Sequence, residues 1–147
     1  MKFSLGKIKS AFGKNDEKKA IKDAEFIQEL KTSIKDKPFS TSEQNILFAG
    51  MNELAGYFYF KVIVIGRFKI KTFNGVKLFL KLNNAEMELN SDMNELASDF
   101  GPIPNSYVTA VDFELSKKQI EKLNNSKIES LKIVCKKKEV VFTKSEH

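Results

Sequence analysis

Residues 57–66, Tyr-Phe-Tyr-Phe-Lys-Val-Ile-Val-Ile-Gly (YFYFKVIVIG), decide how this chain is read. Apart from Lys61, every position is apolar, aromatic or glycine. Aromatic and β-branched residues fill the run, which favours a strand over a helix. A strand without polar alternation needs cover on both faces, so the run belongs near the middle of a sheet.

Downstream of this strand the sequence alternates and turns. Asn74-Gly75 is a strong hairpin signal. A three-residue loop (Phe73-Asn74-Gly75) pairs Thr72 with Val76, Ile70 with Leu78 and Phe68 with Leu80, which collects the apolar residues on one face and predicts a left-handed Gly75. Asn83-Asn84 reads as a two-residue loop that pairs Leu82 with Ala85, Leu80 with Met87 and Leu78 with Leu89, and sets Lys81 opposite Glu86. The expected meander is therefore 67–72, 76–82 and 85–90. Its inner face is Phe68, Ile70, Leu78, Leu80, Leu82, Met87 and Leu89.

Residues 91–106 read as a connection, with a helical turn at 93–98. Strict alternation resumes over 107–115, with Tyr107, Thr109, Val111, Phe113 and Leu115 inward. Ser116-Lys117-Lys118-Gln119 is a capping box that starts a short helix burying Ile120 and Leu123. A final hairpin over 131–135 and 140–143 is expected to set Cys135 against Val140 and Ile133 against Phe142.

Upstream of the central strand the pattern is helical. Residues 3–12 place Leu5, Ile8, Ala11 and Phe12 on one side of a helix and lysines 2, 7, 9 and 14 mostly on the other. A second helix is expected over 16–36, with Ala20, Ala24, Ile27, Leu30 and Ile34 on one face and Pro38 beyond its end. Ser40 and Glu43 have the spacing of another capping box, which predicts a helix through Leu47, Met51 and Leu54 to near Gly56, although Ile46–Ala49 also fits a strand. The organisation expected is a basic amphipathic segment at 1–15, a helical region at 16–56 that packs on the sheet, and an antiparallel β domain at 57–147. The fold class is α+β: amino-terminal helices, then about six or seven mostly antiparallel strands in a small sandwich, roll or partly open barrel, with one short helix before the last hairpin.

The 147 residues, 41% hydrophobic and 30% charged, have the composition of a globular domain able to bury a real core. Thirteen Phe and no Trp suggest a core built on phenylalanine. The net charge of +6 is uneven: residues 1–45 hold ten Lys against seven acids, 46–115 six Lys/Arg against eight, and 116–147 nine Lys against four, giving +3, −2 and +5. Basic ends suit solubility, and they also suit nucleic acid, acidic lipid or an acidic protein.

The first ten residues never develop an apolar core, so no secretory signal is read there. Asn52, Glu53 and Lys61 interrupt the one stretch, 46–66, long enough to suggest a membrane span. With a single cysteine, Cys135, no internal disulfide forms, and a reducing, cytoplasmic setting is the simplest expectation.

The residue types needed for catalysis are sparse. The one histidine is His147, the last residue, which leaves no material for a His-dependent nucleophile or an ordinary zinc site. Cys135 alternates with Leu131 and Ile133 on an apolar face, the pattern of a small core residue. Neither the glycines nor the acids Glu86, Glu88, Asp92, Glu95 and Asp99 have the spacing of a phosphate loop or a calcium loop. The sequence thus points to a non-enzymatic binding or assembly module without cofactor or metal, working through protein–protein contacts. Leu5, Ile8 and Phe12 are the candidate partner-binding residues. Two alternatives stand beside it. Arg67, Lys69, Lys71, Lys77 and Lys81 around an exposed Phe79 form a basic face with an aromatic platform, the arrangement that holds single-stranded nucleic acid. Residues 1–12 suit peripheral contact with a lipid surface, and a barrel interior would suit a lipid. The alternating strands and the capped helix are generic and carry no family resemblance.

Overall fold

The computed structural model of the chain describes residues 14–34 and 37–144. Along the chain the elements are α1 (Lys14–Ser33), β1 (Ser40–Thr41), β2 (Asn45–Leu54), β3 (Tyr57–Gly66), β4 (Lys71–Thr72), β5 (Lys77–Leu82), β6 (Glu86–Asn90), β7 (Leu96–Ala97), β8 (Asp99–Phe100), β9 (Tyr107–Leu115), α2 (Lys117–Asn124), β10 (Ile128–Cys135) and β11 (Lys138–Thr143). The class is α+β with antiparallel sheets. The apolar run 57–66 is β3, in the middle of a five-stranded sheet ordered β1-β2-β3-β9-β8. A four-stranded sheet ordered β11-β10-β5-β6 faces it, and β4 and β7 form a two-stranded ribbon.

The two larger sheets share one core. Leu47, Phe60, Val62, Val64, Val111, Phe113 and Leu115 come from the first sheet, and Leu78, Leu80, Leu82, Met87, Leu89, Leu131, Ile133, Cys135 and Phe142 from the second. A fully buried side chain of this kind contributes roughly 1.5–3 kcal/mol by leaving water. The sheets also touch at their margins. Ser40 Oγ on β1 donates to the Thr143 carbonyl on β11 at 2.7 Å, and Asp92 N, just past β6, donates to the Asp112 carbonyl on β9 at 2.8 Å. On the outer face of the five-stranded sheet, Phe26 and Leu30 of α1 bury against Ile46, with Phe48, Ile65 and Ile103 around them. The second half of β3 is therefore covered on both sides, as its composition requires.

Several sequence expectations hold residue by residue. The Asn83-Asn84 turn pairs Leu80 with Met87, Leu78 with Leu89 and Lys81 with Glu86, and Leu82 N donates to the Ala85 carbonyl at 2.8 Å. Strand 107–115 has the expected bounds, and Thr109, Val111, Phe113 and Leu115 are buried. Ser116 caps α2, with its hydroxyl accepting from Gln119 N and the Gln119 side chain accepting from Ser116 N.

Others are corrected. Residues 40–56 are not helical. Ser40 spends its hydroxyl on Thr143 rather than on a helix end, and 45–54 pairs along its whole length with β3, from Asn45↔Gly66 to Leu54↔Tyr57. The run Ile46–Ala49 suits a strand apolar on both faces, because Leu47 faces the core while Ile46 faces α1. The hairpin expected across Asn74-Gly75 is also absent among the described residues. Lys71 and Thr72 pair with Ala97 and Leu96, and the chain then crosses to the other sheet, where β5 pairs with β6 and β10. The burial assignment survives the change of partner: Phe68, Ile70, Leu78 and Leu80 are all buried.

Residues 93–98 likewise contribute β7 rather than a helical turn. The last hairpin is shifted by two residues, with Cys135↔Lys138, Ile133↔Val140 and Leu131↔Phe142 around a Lys136-Lys137 turn. A shift of two keeps each side chain on its own face, so inward–outward patterning could not detect it. The described residues hold eleven strands in three sheets instead of six or seven, and one helix rather than several before β1.

Candidate functional site

The long β2–β3 hairpin carries an exposed apolar surface. Its two strands pair out to Leu54↔Tyr57, closed by Ala55 (φ 55°) and Gly56 (φ 85°), the two positive φ values of the twisted hairpin turn. Their neighbours do not follow equally far. On one side β9 accompanies β3 as far as Phe58↔Leu115, whereas on the other β1 accompanies β2 only at Ile46 and Leu47. Every residue from Gly50 to Phe58 is consequently exposed. Met51 is 46% accessible, Leu54 66%, Tyr57 59% and Phe58 39%, so this end of the hairpin shows large apolar side chains on both faces.

On the outer face behind this end, Lys61 lies opposite Asp112, and Tyr59 lies opposite Glu114. The Tyr59 hydroxyl is held above the usual 10.0 of a phenol, first by desolvation and then by the carboxylates of Asp92, Glu114 and Asp112, with Tyr57 adding to them.

Two clefts flank the sandwich. One, of about 900 Å³, lies at the hairpin end, with Phe39, Met51, Phe60, Leu123 and Ile128 forming its apolar part and Lys127 and Lys144 at its rim. Lys144 Nζ sits 4.6 Å over the Phe39 ring. The other, of about 800 Å³, carries the charged side chains of Arg67, Lys69, Lys137 and Lys138 together with Glu43 and Glu139.

The residues read from sequence as a basic face are divided by the fold. Lys77, Phe79 and Lys81 do share the outer face of the four-stranded sheet, but Lys132, Glu86, Glu88 and Glu139 share it with them. Lys77 Nζ pairs with Glu88 Oε2 at 3.2 Å, Lys132 Nζ approaches Glu139 Oε2 at 3.9 Å, and Lys132 Nζ also lies 5.1 Å over the Phe79 ring. Three lysines thus meet three glutamates, and the aromatic is half-buried. Arg67 and Lys69 stand elsewhere, in the second cleft, where the Arg67 guanidinium lies 4.3 Å over Phe26 and Lys69 Nζ 4.9 Å over Tyr107. Lys71 is exposed on the β4–β7 ribbon. The partner-binding candidates Leu5, Ile8 and Phe12, together with His147, lie outside the described residues.

Cys135 is buried with a free thiol in the shared core, consistent with a packing role. Among the described residues no three His, Cys, Asp or Glu side chains cluster as metal ligands, and no helix is long and apolar enough to cross a membrane. The hairpin end was missed at the sequence level because 45–56 was read as a helix. The signal present was the aromatic Tyr57–Phe60, too apolar for a strand end left in water. Comparison with protein-family models, curated proteins and solved structures gives no match.

Proposed function

We propose that this chain is a non-enzymatic binding and assembly module that engages another protein through the end of the β2–β3 hairpin. The observation that carries the reading is the run Gly50–Phe58, exposed throughout and carrying Met51, Leu54, Tyr57 and Phe58. Apolar side chains grouped on one exposed element mark interaction surfaces, whereas isolated ones need no explanation. Tyr, Phe and Met are also the residue types enriched where proteins meet. The neighbouring cleft, whose apolar part includes Met51 and Phe60, extends the same surface towards the core and offers a pocket for a partner's side chain.

The test is capture of partners from native lysate by tagged full-length protein and by a variant carrying Met51→Ser, Leu54→Ser, Tyr57→Ser and Phe58→Ser. Proteins retained by the wild type and lost from the folded variant support the surface. Equal capture by the two proteins refutes it.

A further inference from the structure

We infer that the outer edge of β2 pairs with the same edge of a second copy of this chain, antiparallel and centred on Met51; this rests on the reading of the hairpin end as the binding surface. The backbone supplies the first argument. Phe39 N donates to the Leu47 carbonyl at 2.7 Å and Ser42 N to the Asn45 carbonyl at 2.8 Å, so the odd-numbered residues of β2 direct their polar groups away from β3. Antiparallel alternation carries the same direction to Ala49, Met51 and Glu53. Among the described residues no strand pairs with β2 beyond Leu47 on the edge that faces away from β3.

Exposed strand edges are templates for further pairing, and proteins blunt them with lysine, proline or bulges. Phe48–Leu54 (FAGMNEL) contains neither lysine nor proline, and its register on β3 runs without a shift. Glu53 is the one charged residue along this edge, which is otherwise unguarded, as an edge used for pairing should be.

Charge indicates which partner fits. The chain carries +6, yet residues 45–66 hold only Glu53 and Lys61, one charge of each sign. Two copies therefore meet with least repulsion along this hairpin. The Met51-centred register is the one that uses the whole free stretch. It sets Met51 against Met51, Gly50 against Asn52, Ala49 against Glu53 and Phe48 against Leu54, so Glu53 never faces itself. Ala49, Met51 and Glu53 become hydrogen-bonded pairs, and the two five-stranded sheets join into one. Met51, Leu54 and Phe48 of both copies then lie along the seam.

The experiment is sedimentation equilibrium of purified full-length protein over a wide concentration range, compared with Met51→Pro and Met51→Lys. Proline removes the central donor at a position whose N–H points away from β3, and lysine places two like charges on the symmetry axis. The expected wild-type result is a reversible equilibrium between 16.7 kDa and twice that mass. Each variant should weaken it by more than about tenfold while circular dichroism stays unchanged. Met51→Lys keeps the test sound if the proline variant fails to fold. A single 16.7 kDa species up to millimolar protein, or a dimer indifferent to both substitutions, overturns the inference. A monomer whose lysate partners are still lost in the four-serine variant separates the two ideas: the surface then stands and the self-pairing falls.

Discussion

Replacing Gly75 tests whether the crossing between the sheets is built as described. Gly75 has φ 79° and its N–H donates to the Asn94 carbonyl at 2.8 Å. A Cβ there would lie 2.9 Å from Ser91 Oγ and 3.3 Å from Asn94 Oδ1. The Ser91 hydroxyl cannot easily yield, because it accepts from Val76 N at 2.9 Å and donates to the Met93 carbonyl at 2.7 Å. Left-handed backbone costs a residue with a Cβ roughly 1–2 kcal/mol, and disturbing one of those hydrogen bonds adds about 0.5–1.5 kcal/mol. Gly75→Ala should therefore lose about 1.5–3.5 kcal/mol, and Gly75→Val more. Gly56 provides the control: its φ is 85°, but a Cβ there meets nothing within 4 Å, so Gly56→Ala should show the backbone cost alone. The assay is equilibrium unfolding in urea, read by linear extrapolation. Equal losses at the two glycines, or a loss below about 1 kcal/mol at Gly75, would refute the packing of Ser91 and Asn94 around it.

Leu30 is fully buried between α1 and the sheet, so Leu30→Ala should cost about 2–5 kcal/mol in the same assay, while Ile21→Ala, on the wet side of the helix, should change little. Tyr59 is linked to alkaline pH. The folded chain holds its phenolic proton more tightly than the unfolded chain does, so the stabilising contribution is complete below the ordinary value of 10.0 and is lost as pH rises past it. Tyrosinate absorbance should show a late component that Tyr59→Phe removes and Asp92→Asn brings to lower pH. The balanced charges around Phe79 predict that anisotropy with a single-stranded oligonucleotide will show no steeply salt-dependent binding. Binding that falls sharply with salt and weakens in Phe79→Ala would return that face to the candidates.

Local chemistry was legible wherever it was sufficient by itself. The Ser116–Gln119 box closes within four residues, and the Asn83-Asn84 turn aligns strands that alternate cleanly, so neither needs the rest of the molecule. Burial was also legible: Phe68, Ile70, Leu78 and Leu80 are inside as their pattern requires. Partnership was not. Gly75 has the positive φ expected of it, yet it serves a crossing held by Asn94 rather than a hairpin, because one backbone conformation satisfies both geometries. Ser40 shows the same limit, since a hydroxyl spaced for a helix cap is equally able to reach the Thr143 carbonyl more than a hundred residues away.

The same reasoning explains why the binding surface had to come from the structure. Whether an apolar strand residue is core or surface depends on how far its neighbours extend. Phe58 and Phe60 share one face of an uninterrupted run, but Phe60 lies in the shared core while Phe58, at the last pair with β9, stands partly in water, as Tyr57 does on the opposite face. The composition of the run reports that apolar cover is required along its entire length. The fold supplies that cover from Phe60 onwards and, within the described residues, leaves the hairpin end without it. The difference between what the strand's composition calls for and what the chain itself provides is the physical case for a partner at Met51, Leu54, Tyr57 and Phe58.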